Sequence, residues 1–307
     1  MSNETTPNNS DSNTCRVCAG RTLELVRPST IRRPLSEVDF AITDPNYGTT
    51  AAIYRCRECG FLQCAQLSDV LQYYQTLKDE EYDSSGQHRL HQAEKLLQTI
   101  IRYKKSGKLL DVGAGTGYLM QRALAHGFET VGIEPSSWLC DKALVKGLNV
   151  LCGVLPDPSL NPPYDVVTLI DVIEHVSNPV EVLSHIAGVM STDSVGVLVT
   201  PDVHSLAARL TGTRWWHYRV AHVGYFNHKT ISLALDRAGL RPISFSRPAW
   251  YLSAAYLMSR LSVYLPSYLR LNPPAVLNRL TIGFNLFDSM LVVFQRKSTP
   301  LHTVAGK

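Results

Sequence analysis

The chain has 307 residues, 45% of them apolar and 18% charged, with a formal net charge of +4. That length holds one catalytic domain plus a small appendage, and so mild a charge does not by itself point to nucleic acid. The polar opening (Met1 to Asn13) has no secretory apolar core, and no run of about 18 apolar residues predicts a transmembrane helix. The expected location is therefore cytoplasmic.

Taken in chain order, residues 1–13 are rich in Asn, Ser and Thr and read as a disordered tail. Two pairs follow, Cys15-Arg-Val-Cys18 and Cys56-Arg-Glu-Cys59-Gly60, with 37 residues between them. Seven cysteines, an odd number, without a signal peptide favour metal over disulfides. Four thiolates suit a tetrahedral zinc ion, and Gly60 suits the tight turn around it. Leu23-Glu-Leu-Val and Ala51-Ala-Ile-Tyr54 look like strands, so 14–68 reads as a zinc ribbon with a long insert. A redox dithiol is the alternative. Cys64 is a bystander, and Cys140 and Cys152 are expected to be buried free thiols.

The second domain is expected over 69–300. An amphipathic helix is predicted from Leu90 to Tyr103. Strands are predicted at 108–112, 129–134, 149–152, 165–171, 194–200, 242–247 and 289–296. Helices from about Tyr118 and near 137–146, 179–190 and 230–238 alternate with them. This alternation predicts an α/β fold with a doubly wound parallel sheet. Between 250 and 288 lies a segment rich in Tyr, Leu and Pro, with Arg260, Arg270, Arg279 and a single acid, Asp288. It reads as a helical insertion or lid, with an interfacial membrane-contacting surface as the alternative.

The first βαβ unit carries the most information. Leu109-Leu-Asp-Val-Gly-Ala-Gly-Thr-Gly117 ends a strand in an acid and a glycine turn, and Glu134 ends the next strand, seventeen residues after Gly117. Glycine lets backbone approach a ligand closely, and Glu134 stands where a carboxylate can accept from ribose hydroxyls. A dinucleotide site needs G-x-G-x-x-G, but Tyr118 or Met120 occupies its third glycine here. The pattern is Asp-x-Gly-x-Gly-x-Gly, which resembles motif I of class I S-adenosylmethionine (SAM) methyltransferases. That resemblance implies a Rossmann-like seven-stranded sheet with an antiparallel last strand. It also implies SAM held by Asp111, Gly113, Ala114, Gly115, Gly117, Glu134, Pro135, Asp171 and Val172.

Asp171-Val-Ile-Glu174-His175-Val follows the fourth strand, and ligands bind at the carboxyl ends of such strands. The string resembles the Glu/Asp-x-x-Glu-His-Val of methyltransferases related to the ubiquinone O-methyltransferases. His175 is either a general base or a structural histidine beneath the cofactor. Residues 214–228 are dense in aromatics and histidine, as a substrate pocket would be. Within them His222-Val-Gly-Tyr225-Phe226 resembles the His-Leu-x-Tyr-Phe segment of that family. It also resembles the deoxysugar C-methyltransferases, which carry an N-terminal cysteine zinc domain. The Glu and Tyr that precede the histidine in those enzymes are Ala221 and Arg219 here, and the chain is shorter than theirs. His222 is the first candidate for general base and His217 the second. Asn161-Pro162-Pro163-Tyr164 mimics an amino-methyltransferase motif but precedes the fourth strand, so it reads as a loop. Thr200-Pro201-Asp202 reads as a turn shaping the pocket.

The leading expectation is methyl transfer from SAM to oxygen or carbon of a small-molecule or glycosyl acceptor, with Zn2+ in the N-terminal module. One alternative is an RNA methyltransferase whose zinc module grips RNA. The charge excess over 15–59 is small for that role, so a nucleic-acid partner is not expected. Another alternative is a SAM-binding protein without catalysis.

Overall fold

The computed structural model describes residues 14–42, 48–67, 70–84, 86–262 and 273–297. The expected tail 1–13 and part of the expected insertion, including Arg270, lie outside them. Three short strands open the chain: β1 (Leu23–Arg27), β2 (Ile53–Cys56) and β3 (Leu62–Gln63), paired antiparallel in that order. Helices α1 (Leu71–Gln75), α2 (Glu80–Ser84) and α3 (Gly86–Ile101) follow. Strand and helix then alternate: β4 (Gly107–Val112), α4 (Tyr118–Ala125), β5 (Phe128–Glu134), α5 (Ser137–Val145), β6 (Val150–Cys152) and β7 (Tyr164–Ile170). Next come α6 (Pro179–Val189), β8 (Met190–Pro201), α7 (Leu206–Thr211), β9 (Gly224–Tyr225), α8 (His228–Arg237) and β10 (Leu240–Ser246). The chain closes with β11 (Trp250–Ser253), α9 (Ala254–Ser262), β12 (Thr281–Phe284) and β13 (Ser289–Arg296).

Seven strands form one sheet in the order β10-β13-β8-β7-β4-β5-β6. Strands β4 to β8 run parallel, and β13 runs antiparallel to both of its neighbours, as expected. Successive side chains on a strand point to opposite faces, and the core divides accordingly. Leu110, Leu198, Val292 and Phe294 pack with Leu183 and Ile186 of α6 and Ile231 and Leu235 of α8. Leu109, Val197, Val199, Leu291 and Val293 face the other way, onto Ala93, Leu96, Leu97 and Ile100 of α3 and Leu119 of α4. Strands covered on both faces need apolar residues at nearly every position, which is why these runs were readable. The chain winds outward from β4 in both directions, so the crevice opens at the carboxyl ends of β4 and β7.

The N-terminal module is sewn into this domain. Its sheet runs β1-β2-β3-β9, with Leu62 opposite Tyr225 and Gln63 opposite Gly224. The Arg16 guanidinium reaches the carbonyls of Cys64 and Leu67, and Phe61 packs on Phe226 with ring centroids 4.8 Å apart. The segment that follows His222 thus hangs directly from the cysteine module.

Two expectations change. Cys140 and Cys152 are not free thiols: they form a disulfide between α5 and β6, with Cα atoms 5.7 Å apart. Cys140 is fully buried, but Cys152 stands exposed on the edge strand, a pairing that no spacing rule announces. The 250–288 segment carries α9 but also a hairpin, β11 against β12. It docks on α3, where His88 bonds Thr281 Oγ1 and the Asn278 carbonyl, both at 2.8 Å. Among the described residues, no helix is long and apolar enough to cross a membrane.

Candidate active site

The first half of the crevice is built from one βαβ unit. After Asp111 the chain turns through Gly113, Gly115 and Gly117, all at positive φ (75°, 55° and 81°). Only glycine adopts such angles without strain. A Cβ on Gly113 would stand 2.5 Å from Val172 Cγ2, and one on Gly115 2.6 Å from the Tyr82 hydroxyl. The turn therefore lies beside the β7 exit and beneath α2. Ala114 is buried with Met120, Cys140 and Ala143. Half-buried Pro135 leads into Ser136, whose hydroxyl caps α5 by accepting from Leu139 N–H.

Glu134 fastens this turn. Its Oε2 accepts from the Gly115 N–H at 2.8 Å and its Oε1 from the Ser136 N–H at 2.9 Å. Each oxygen retains a lone pair for a ribose hydroxyl. Burial pushes the Glu134 carboxyl up against those two bonds. Asp111 lies opposite Thr168 in the strand register, and its Oδ1 accepts from the Thr168 hydroxyl at 2.7 Å. Burial, with Glu134 nearby, pushes Asp111 up to about 7. Asp171 sits at φ 54°, an uncommon angle for a non-glycine residue. It is open to solvent yet ringed by protein at the cleft floor. That surrounding, together with Asp288, raises its carboxyl to about 7. The predicted cofactor residues thus converge on one crevice, with Tyr82 lying over it and stacked under Arg89 at 3.7 Å.

The second half draws on distant segments. A 3-10 turn (Ile173–His175) follows Val172. Glu174 is 2% exposed; its Oε2 accepts from the Thr200 hydroxyl at 2.9 Å, while Oε1 has no hydrogen-bond partner among the described residues. His175 Nδ1 lies 2.9 Å from the Ala221 carbonyl and 2.6 Å from the Tyr74 hydroxyl. The carbonyl can only accept, whereas the Tyr74 hydroxyl can donate to Nδ1 or accept from it, so the tautomer follows from which of the two contacts the ring proton serves. Burial, Arg219 and His217 push His175 down to about 3. The His222 ring stands T-shaped to His175, centroids 4.7 Å apart, and its Nδ1 is buried without a partner among the described residues. Burial and the neighbouring histidines hold it well below the ordinary histidine range.

His217 stacks near-parallel on His222 at 5.6 Å, so the three predicted histidines form one cluster. Among the described residues, His217 is the one histidine of the three with a carboxylate within hydrogen-bond distance: its Nε2 lies 3.0 Å from Asp288 Oδ2, which also accepts from Trp216 Nε1 at 2.9 Å. Burial works against the Asp288 carboxylate, but the bonds and charge of His217, with the Trp216 bond, outweigh it and leave its pKa below the usual range. Sequence reasoning gave Asp288 no role, and it did not find Tyr74 or Tyr82. Asp288 had a signal: an antiparallel last strand must begin at the carboxyl end of β8, and Ser289 pairs there with Pro201.

The four cysteines gather as expected. Cys15 Sγ and Cys59 Sγ are 3.5 Å apart, as are Cys18 Sγ and Cys56 Sγ, and all four lie within 4.8 Å of one another. Zinc with four Zn–S bonds of about 2.3 Å sets sulfurs about 3.8 Å apart. The N–H groups of Cys18, Gly20 and Phe61 point at the sulfurs of Cys15, Cys18 and Cys59. These residues fit a structural zinc site. Cys64 is not among the ligands; its thiol faces the His222 carbonyl. Beside this module a cavity of ≈ 710 Å³ is lined by Arg55, His204, His228, Lys229 and Arg247, with Asp202 bound to Arg247 at 2.6 Å. Asn161 lies in the loop before β7, as expected.

A family model described as a methyltransferase domain matches residues 86–244, just over half of the chain. No curated protein matches in sequence. Among solved structures, a chain from the complex of the Haloferax volcanii Trm112 methyltransferase activator with a methyltransferase aligns at 14% identity. It covers 73% of this chain and 100% of its own, with TM-score 0.53. The magnesium protoporphyrin IX methyltransferase of Synechocystis PCC 6803, solved with bound S-adenosylhomocysteine, aligns at 14% identity, 68% and 84% coverage and TM-score 0.46. A SAM-dependent methyltransferase from Clostridium acetobutylicum aligns at 10% identity, 69% and 92% coverage and TM-score 0.46. At 14% identity the first of these likenesses is one of fold alone.

Proposed function

Because this chain belongs to the methyltransferase-domain family, we propose that it carries the SAM methyl group to a small-molecule or glycosyl acceptor, with His217 as general base. The observation that carries this reading is the cluster of three histidines and Asp288 beside the Asp171 end of the crevice.

Asp111, Gly113, Ala114, Gly115, Gly117, Glu134, Pro135, Asp171 and Val172 would hold the cofactor. Bound SAM supplies an electrophilic methyl on sulfonium. The protein's task is to align an acceptor with that methyl and to accept the acceptor's proton. Of the three histidines, His217 is best equipped for the proton. Ionised Asp288 accepts from Nε2–H, so Nδ1 is the basic atom, and the carboxylate stabilises the imidazolium that forms. Among the described residues, neither His175 nor His222 has a carboxylate within hydrogen-bond distance, and burial lowers both, so they serve less well as proton acceptors. This reverses the order expected from sequence, which put His222 first. Zinc bound by Cys15, Cys18, Cys56 and Cys59 would lock the module that carries β9, and so fix the 217–225 segment.

One observation favours a second reading. The cationic cavity beside the zinc module suits phosphate, as RNA or as a phosphorylated part of a small acceptor. Methyl-labelled SAM incubated with the protein and fractionated cell extract separates the readings. Label in small metabolites or glycan intermediates is the expected result. Label in RNA, with salt-sensitive RNA retention, would move the assignment to the second reading. Tight SAM binding with no label in any fraction would favour a binding protein.

A further inference from the structure

We propose that the cleft between the zinc module and α8 binds a phosphate group carried by a small acceptor. The proposal deepens the small-acceptor reading above and rests on it. The cleft has a volume of ≈ 710 Å³ and draws its walls from four segments distant in sequence. The module supplies Arg55 on β2, with Cys59 and Gly60 of the second cysteine pair. Asp202 and His204 follow β8, His228 and Lys229 open α8, and Arg247 follows β10.

Charge in the cleft is one-sided. Three permanent cations, Arg55, Lys229 and Arg247, face one carboxylate, Asp202. Arg247 already holds that carboxylate, Nη2 to Oδ2 at 2.6 Å, and its Nη1 donates to the Ser289 carbonyl at 3.2 Å. Arg55 and Lys229 are exposed, and the lining offers them no second acid. His228 stacks on Phe245 with centroids 4.5 Å apart and planes at 18°, which fixes its ring in the wall. The start of α8 adds to these cations. Asn227 caps it by accepting from Thr230 N–H, while the N–H groups of His228 and Lys229 come too early in the helix for an intrahelical partner. Fixed positive charge beside free N–H donors is what a phosphate dianion requires.

The shape favours a small acceptor over a nucleic-acid strand. Tracking a strand takes cations spread along a groove, whereas these converge on one cleft. The cleft also adjoins the proposed base. Asp202 N–H donates to the Asp288 carbonyl at 2.8 Å, and the Asp288 side chain bonds His217 at 3.0 Å. A phosphate held in the cleft therefore anchors one end of an acceptor whose other end reaches His217. The zinc module becomes one wall of the acceptor site, which gives the pairing of β3 with β9 a function.

The test is titration of inorganic pyrophosphate into the zinc-loaded full chain by isothermal calorimetry, without turnover. The expected result is saturable binding that Arg55→Gln and Lys229→Gln each weaken roughly fivefold. Arg237→Gln, at the far end of α8, removes an equal charge outside the cleft and should leave the affinity within about twofold. Retained zinc and an unchanged circular dichroism spectrum would show each variant to be folded. No pyrophosphate binding by the wild type, or equal weakening by Arg237→Gln, would overturn the site. A short RNA bound far more tightly than pyrophosphate, with steep salt dependence and the same sensitivity to Arg55 and Lys229, would overturn the small-acceptor assignment. Methyl transfer by a protein that binds no pyrophosphate would overturn the cleft site and leave the methyltransferase reading standing. Pyrophosphate binding that depends on Arg55 and Lys229, without methylation in any fraction, would support the cleft site and count against that reading.

Discussion

In the cofactor half of the crevice, Glu134 bonds the backbone of Gly115 and Ser136, and Asp111 bonds Thr168 on the adjacent strand. In the acceptor half, Tyr74 bonds a histidine 101 positions away, and His217 bonds an acid 71 positions away. The first half presents a turn whose shape is written locally. The second half is assembled by topology, from α1, the β7 exit, the 214–228 segment and the start of β13. A locally written site tolerates no change in its glycines. An assembled site can change partners one residue at a time, and so can change acceptor while the cofactor half stays fixed.

The sharpest break of the first half is Gly115→Val. A β-branched residue at φ 55° is strained, and its Cβ would press on Tyr82. SAM affinity should fall by about 100-fold or more, at roughly 1.4 kcal/mol per factor of ten. An isothermal titration matching wild type would refute the cofactor assignment. Cys56→Ser should lose the zinc that wild type carries at about one per chain. Because β3 pairs with β9, methyl transfer should drop with the metal while SAM binding persists. Metal analysis beside a SAM titration checks both, and full activity without zinc would cut the link between the halves.

Asp288→Asn should lower turnover by about 10–100-fold, within the range of general acid–base effects, with SAM affinity unchanged. It removes the charge that supports protonated His217 but keeps a hydrogen-bonding oxygen. Equal kcat would free Asp288 from that role. The smallest effect concerns stability. Asp111 is raised to about 7 in the fold, against about 3.9 in the unfolded chain. The native state therefore binds the extra proton between those values, so this residue's contribution to stability falls as pH rises from about 4 to about 7. Asp111→Asn, which keeps an acceptor for Thr168, should stabilise the apo protein most above pH 7, and the gain should shrink toward pH 4. A melting-temperature difference that is flat with pH would contradict the burial argument.

How much of this was legible follows the same division. Strands β4, β5, β7 and β8 showed as apolar runs because both of their faces are covered, and the glycine turn showed because its angles exclude other residues. The cysteine quartet showed because zinc geometry demands paired thiolates at short spacing. The Cys140–Cys152 disulfide did not, since nothing in a helix cysteine and an edge-strand cysteine announces that they meet. The hairpin around α9 was hidden in a segment without clear periodicity. Tyr74, Tyr82 and Asp288 carry no motif of their own; each gains a role only when the sheet order brings its segment to the crevice. His217 ranked behind His222 because a local string rewards resemblance, whereas the acid bonded to His217 lies 71 positions away, in the loop before β13.

The account turns on the separation of binding from proton transfer, and His217→Ala tests it most directly. With an acceptor identified by label tracing, SAM dissociation constant and kcat are measured together for wild type and variant. The prediction is a dissociation constant within about twofold and a kcat lower by about 10²–10⁴-fold. Full turnover by His217→Ala, or a loss of SAM affinity as large as the loss of rate, would contradict it.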